Sequence, residues 1–424
     1  MTQSLVNTFE AELKILISEY FTEEESNQIV ANTELPFFDE KKSKSISNLY
    51  LNKLDIQLHE SQQRFTIDRT ITFAEKKLGS VEFFDFLWEL GNICKISGKL
   101  NLAQEMFYKI RKNTSDKNLL AKSLIALADI YSRKAIWTKS ISLVTEAETI
   151  YKSLNDSSGI ANCFNILGSI SGEMGDIEKA NNYFNQSLVF ANESSAQELN
   201  AKIETNLGVV NSILGNTDEA VKHLETALLI YRKTNDVLRI AESYLNLGLN
   251  FLQAEDFRSA EAALNNGIAI AVENQFYSTL ALLYHANSQV FIRNKSYLIA
   301  KDFSDKSLSI SHYLDDKLTI ADIYKVRGII AKNLNDTKTA ESYLMISLRI
   351  NTSKRNSLNI AESSFELASL FKQEGKIELS KQYYLQALDY YKKCNAPDKI
   401  ITIEECIKDL TNHSDNAEVN DDKQ

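Results

Sequence analysis

Apolar residues recur at three- and four-residue steps along most of the chain. From Ala201 they fall at Ile203, Leu207, Val210 and Leu214, the spacing of one buried helix face. A second run carries Ala220, Leu224, Ala227, Leu228 and Tyr231. Gly215-Asn216 separates the two runs, and Asn216 or Thr217 is placed to cap the second helix. Thr234-Asn235-Asp236 then turns the chain toward another pair, and Asn155-Asp156 and Asp315-Asp316 punctuate it in the same way. The pattern predicts two antiparallel helices per unit and no strands.

The unit is copied at a fixed step. Ala161, Ala201, Ala241, Ala281, Ala321 and Ala361 are spaced by 40 residues, and Ala180, Ala220, Ala260, Ala300 and Ala340 run in phase with them, closed by Ser380. Leu167-Gly168, Leu207-Gly208 and Leu247-Gly248 form a third series. Ala121 opens an earlier unit with Leu127-Ala128, and Leu90-Gly91 with Ala103 marks one starting near Phe84. That makes about eight units between residues 84 and 396. Glycine on the first helix and alanine on the second predict close approach of the two helices within a unit. Each unit buries its apolar face against its neighbours, so the core runs along an array.

These positions resemble the tetratricopeptide repeat: Leu-Gly on the first helix, then small, large and small residues at set steps. Leu167-Gly168, Ala180, Phe184 and Ser187 fit, as do Leu207-Gly208, Ala220, Leu224 and Ala227. Leu247-Gly248, Ala260, Leu264 and Gly267 fit as well, and the last unit has Leu367-Ala368, Ser380, Tyr384 and Ala387. Asn287-Ser288 and Arg327-Gly328 depart from Leu-Gly, and the family's proline at the end of the second helix is missing throughout. The 40-residue period is similar to the long-repeat variant of bacterial adaptor and sensor arrays. The resemblance implies an all-α fold, an alpha-alpha superhelix of antiparallel helix pairs with helical caps. It implies a protein or peptide ligand in a groove lined by the first helices.

Outside the array the register lapses. Leu5 to Tyr20 predicts an amphipathic helix, and Thr22 a capped start to a second. Residues 34–39 read as a loop, and Ser45 to Leu78 as two more helices. Residues 1–83 are therefore taken as a helical amino-terminal module or degenerate repeats. Residues 397–411, from Pro397, are taken as a carboxy-terminal capping helix, and 412–424 as a disordered acidic tail.

Charge sharpens the picture. Residues 1–40 hold nine acids against Lys14, and the tail is acidic too, which leaves the array near neutral within a chain of net charge −10. With no basic stripe, nucleic acid is not an expected partner. No run of apolar residues is long enough to span a membrane, and no secretion signal opens the chain, so a cytoplasmic setting is expected. Cys94, Cys163, Cys394 and Cys406 are scattered, which speaks against a zinc site or a disulfide framework. His59, His223, His285, His312 and His413 have no metal-ligand spacing, and no catalytic motif appears. The expectation is a non-enzyme without cofactors. His223 reads as structural or solvated, whereas His285 falls on the inner face.

Helical spacing from each unit's first residue assigns a shared inner face. Its candidates are Asn162 and Asn165, Lys202 and Asn206, Asn246 and Gln253, then His285, Gln289 and Arg293, and last Lys325, Lys332 and Asn333. Amides can bond a peptide backbone, and the bases would select acidic side chains.

Overall fold

A computed structural model describes residues 2–30, 48–194, 196–314, 316–354, 356–393 and 399–410. The loop expected at 34–39, the tail at 412–424, and Pro397, Asp315, Cys394 and His413 lie outside these residues. Every described element is helical. The chain divides into two compact units, Met1–Ile166 and Leu167–Gln424. The division falls inside a helix, at a point where the 40-residue register gives no sign of it.

The first unit opens with α1 (Thr2–Tyr20), α2 (Glu23–Val30) and α3 (Asn48–Lys77). Thr22 Oγ1 accepts from the Glu25 amide at 3.3 Å, and Glu25 returns the contact to the Thr22 amide at 3.1 Å, a reciprocal cap. Two helices were expected between Ser45 and Leu78, but α3 is one, because neither glycine nor proline interrupts it. Phe9, Leu13, Leu16 and Ile17 bury one face of α1, and Tyr20 meets Phe86 edge-on at 5.3 Å. The pairs α4 (Ser80–Ile96) with α5 (Leu100–Asn113) and α6 (Lys117–Arg133) with α7 (Trp137–Leu154) follow, then the start of α8 (Ser157–Glu173).

The second unit begins within α8 and continues with α9 (Ile177–Ser194). Next come α10 (Gln197–Ile213) with α11 (Thr217–Lys233), and α12 (Val237–Gln253) with α13 (Phe257–Glu273). They lead to α14 (Tyr277–Arg293) with α15 (Tyr297–Tyr313), α16 (Lys317–Asn333) with α17 (Thr337–Lys354), and α18 (Ser357–Gln373) with α19 (Ile377–Lys393). A last helix, α20, covers residues 399–410, and its Ile403 and Leu410 pack with Tyr384, Ala387 and Tyr391. Within this unit each second helix also meets the first helix of the next pair, and the first helices α10, α12, α14, α16 and α18 touch in sequence. That arrangement is a helix-pair solenoid.

The small-residue series has a steric cause. A Cβ on Gly208 would come within 2.5 Å of Leu224 Cγ and 3.2 Å of the Ala220 carbonyl oxygen. Gly91, Gly168, Gly248 and Gly328 sit under Phe107, Phe184, Leu264 and Leu344 in the same manner. Alanine replaces glycine in two units, at Ala128 and Ala368. There the second helix carries serine instead of alanine, and Ser140 and Ser380 donate to the Ala128 and Ala368 carbonyls at 2.7 and 2.8 Å. The hydroxyl gives the added Cβ a polar tie across the interface.

The turn inside each pair uses one residue in the left-handed region: Gly98 in the first, then Ala135, Gly175, Gly215, Glu255, Lys295, Asn335 and Gly375 in step with the register. Asn216 occupies the cap position of α11 but does not cap it. Its amide donates instead to Asn211 Oδ1 at 3.2 Å.

Candidate partner-binding face

Where α10 to α18 meet, their outward positions form one face of the second unit. At the α10–α12 end this face is apolar and amide-lined. Val209 and Leu249 are 37% and 39% exposed, Leu282 on α14 is 41% exposed, and Asn206 and Asn246 are half-buried beside them. Lys202 stands exposed on α10, and Ser212 Oγ donates to Gln253 Oε1 at 3.2 Å, joining α10 to α12. Asn162 and Asn165 belong to the first unit. Asn162 is half-buried, but Asn165 is only 1% exposed, so its amide turns inward and is not offered to a partner.

Further along, the face becomes charged, and each base already has an acid. Arg293 Nη2 lies 2.5 Å from Glu255 Oε1, both exposed. Lys325 pairs with Glu362, and Lys332 Nζ lies 2.6 Å from Glu366 Oε2 and 3.2 Å from Ser369 Oγ. Asn333 is exposed, and its Oδ1 accepts from the Tyr297 hydroxyl at 3.1 Å. The sequence reading singled out these bases and passed over their acids. Of these acids Glu362 recurs with Glu242 and Asp322 at the register position of Lys202, a signal that could have found it, whereas Glu255 and Glu366 fall outside that series. The face is mixed, with no free basic side to choose acidic ligands.

His285 is partly buried, with its Nδ1 sealed from solvent and without a hydrogen-bond partner. Its Nε2 lies 2.9 Å from the Gln289 amide nitrogen. Burial pushes the imidazole down to about 4, and the Lys325 ammonium adds to the effect, so the ring is neutral near pH 7. Burial raises the Asp322 carboxyl, with Lys325 opposing. Burial also opposes the Lys325 ammonium, but Glu362, Asp322 and Glu366 outweigh it and hold the amine above its ordinary range. His223 is neither free nor on this face. Its Nδ1 lies 2.6 Å from Glu204 Oε2, which ties α11 to α10.

The two breaks in the Leu-Gly series are polar pairs. Asn287 Nδ2 donates to Asn265 Oδ1 at 3.4 Å, and Arg327 bonds Asp305 while its guanidinium lies 5.2 Å from the Tyr343 ring centre. Each pair reaches 22 residues back, to the second helix of the preceding pair. Among the described residues no three histidine, cysteine or acidic side chains gather to hold a metal ion, and no helix is long and apolar enough to cross a membrane.

The tetratricopeptide-repeat family matches residues 199–271 and again residues 361–394. The chain is a tetratricopeptide-repeat protein. A curated relative, response regulator aspartate phosphatase I of Bacillus subtilis (strain 168), is 23% identical over 193 residues, 43% of this chain. The match spans 47% of that relative's length. Among solved structures, a Rap protein complexed with competence and sporulation factor is similar, with a TM-score of 0.61 at 16% identity. The likeness covers 79% of this chain and 93% of that one. Aspartyl phosphate phosphatase F from Bacillus subtilis gives 0.54 at 12% identity over 81% and 91% of the two chains. A signal-transduction ATPase with a tetratricopeptide repeat sensor, from Pyrococcus horikoshii, gives 0.53 at 16% over 92% and 65%. These structural likenesses concern the repeat fold, which in this protein presents the mixed face described above.

Proposed function

We propose that this repeat protein is a binding scaffold that takes a peptide or protein segment on the face formed by α10 to α18. The observation that carries the reading is the pair of exposed apolar side chains Val209 and Leu249 at one register position, with Leu282 exposed on α14, and half-buried amides on the same touching first helices. Apolar side chains held at the surface among amides suit an extended segment: the apolar groups take its side chains and the amides its backbone. The candidate residues of the face serve in this role with the acids that pair them. Charge reversal at Lys332 would unpin α16 from α18, so the test belongs at the apolar end. Val209→Glu with Leu249→Glu should abolish capture from a random phage-displayed peptide library and leave the melting temperature within a few degrees of wild type. Capture that survives the double substitution overturns the reading.

A second reading is a bacterial signalling regulator, in which the array senses the peptide and residues 1–83 act on a target. The curated relative's name and the solved complex of a Rap protein with competence and sporulation factor favour it. The domain plan of module, array (84–396), capping helix (397–411) and acidic tail (412–424) belongs to both readings. So does a cytoplasmic setting with protein or peptide partners and neither nucleic acid nor membrane. In both, the chain performs no chemistry and needs no cofactor. Turnover of an aspartyl-phosphate substrate by the purified chain would overturn that last part.

A further inference from the structure

Residues 95–139 hold ten lysines and arginines against three acids, Glu105, Asp116 and Asp129, a local excess hidden in an array that is near neutral as a whole. Several of these bases are neutralised in the fold: Lys109 pairs with Glu75, and Lys95 and Arg133 share Asp129. Lys134 and Lys139 are held differently. Lys134, at the end of α6, places its Nζ 2.9 Å from Asn101 Oδ1 and 2.8 Å from Gln104 Oε1 on α5. Lys139, on α7, bonds the phenols of Tyr108 and Tyr131, which lie 2.6 Å apart, and its Nζ stands 4.3 Å from the Tyr131 ring centre. Neutral acceptors thus hold both ammoniums, and among the described residues no carboxylate pairs with either. Asn101, Gln104, Tyr108 and Arg111 follow one another at three- and four-residue steps, so they share a stripe of α5 about 15 Å long. Arg111 closes the stripe, bridged to Glu146 at 2.9 Å. Burial alone would raise the Tyr108 phenol, but the bonds from Lys139 and Tyr131, with Arg111 nearby, bring it below its ordinary range, which marks a positive field there.

We propose that this stripe, which belongs to the first unit, is a docking surface for an acidic segment of a partner protein. An ammonium fixed by amides or phenols keeps its whole charge and its position, so an incoming carboxylate meets a cation already in place. The α10–α18 face of the second unit is the opposite case, because Glu362 and Glu366 neutralise Lys325 and Lys332. Lys134 gives two of its three protons to Asn101 and Gln104 and keeps one for a ligand, and Lys139 is exposed. The partner's acids are discrete ones. Glu105 and Glu146 border the stripe and repel the evenly spaced phosphates of a nucleic acid, whereas a polypeptide can set neutral residues against them.

The test uses the full chain and a fluorescein-labelled octaglutamate peptide, followed by anisotropy at about 0.05 M salt, where screening is weak. The chain's net charge of −10 repels this probe in general, so capture reports a local positive surface. Lys134→Gln with Lys139→Gln should weaken binding about tenfold. Lys134→Arg with Lys139→Arg, which keeps the charge, should stay within about twofold of wild type. Lys233→Gln with Lys338→Gln removes the same charge from exposed positions of the second unit and should change nothing. Carbodiimide coupling of the peptide to the wild-type protein should link it to Lys134 and Lys139 in the mass spectrum, a readout that needs no variant. Failure to bind the peptide, equal losses in the two glutamine pairs, or links chiefly to other lysines would each overturn the surface. Tighter binding of an oligothymidine of equal charge through the same two lysines would overturn the acidic segment in favour of nucleic acid.

Discussion

His285 titrates well below the ordinary histidine range. Its folded pKa of about 4 lies below the value of about 6.5 expected in an unfolded chain. The unfolded state therefore binds the proton first as pH falls. The stability tied to the neutral ring is complete above about pH 6.5 and is lost as pH drops toward 4, with an upper bound of about 3 kcal/mol. Wild type should then weaken across that window more than His285→Gln, which has no proton to take up. Urea melts of both proteins at steps between pH 7.5 and 4.5 would show it, and parallel curves would refute it. Asp322 runs the other way: its raised carboxyl costs stability at neutral pH and is relieved as the group protonates. The His285→Gln comparison cancels this contribution, because Asp322 is present in both proteins.

The turn inside each pair shows how an element tolerates imperfect residues. At the end of α14, Ser296 N donates to the Phe291 carbonyl at 2.8 Å and Lys295 N to that of Ile292 at 2.9 Å. This pair of bonds closes the helix and forces Lys295 to φ 57°. Glycine takes this conformation freely at the equivalent Gly215, whereas an L side chain is disfavoured there by roughly 1–2 kcal/mol. Lys295→Gly should stabilise the protein by up to about 1 kcal/mol, less the entropy glycine brings to the unfolded chain. Asn335→Gly should gain less, because asparagine tolerates the left-handed region. Thermal melts that place Lys295→Gly below wild type would count against strain at this turn. The same elements show what the sequence makes legible. The alternation of helix and turn is local and repeats, so the period alone placed the end of α10 and the start of α11 almost to the residue, while α10 begins four residues ahead of Ala201. Asn287 and Arg327 read only as departures from that period. Their partners Asn265 and Asp305 lie on the preceding pair, and a polar residue in a buried position gains meaning only once that neighbour is known. The candidate face divides likewise: its positions followed from helical spacing, but the pairing of Lys325 and Lys332 depended on acids one unit further on.

Across the whole molecule, carboxylates crowd where α1 meets α4 but are paired with bases on the α10–α18 face, and this carries a last prediction. In the first unit acids gather around Tyr20: burial raises the phenol, and Asp85, Glu89, Glu19 and Glu82 each add to it. These carboxylates repel one another where α1 meets α4, although the first unit as a whole is nearly balanced in charge. In the second unit the acids of the face are already matched, as in Arg293 with Glu255 and Lys332 with Glu366. Salt shortens the reach of charge from about 10 Å at 0.1 M to about 3 Å at 1 M. Screening relieves repulsion between α1 and α4 and weakens attraction at exposed pairs such as Arg293–Glu255 in the second unit. Hydrogen exchange followed peptide by peptide separates the two, since stability in stacked helix pairs is set between neighbours. Raising salt from about 0.1 to about 1 M should slow exchange in α1 and α4 relative to α14 and α16. Salting-out of apolar surface acts on both units alike, so the difference between them isolates the charge effect. Equal slowing in both units would mean that the acids around Tyr20 are too well solvated to repel one another.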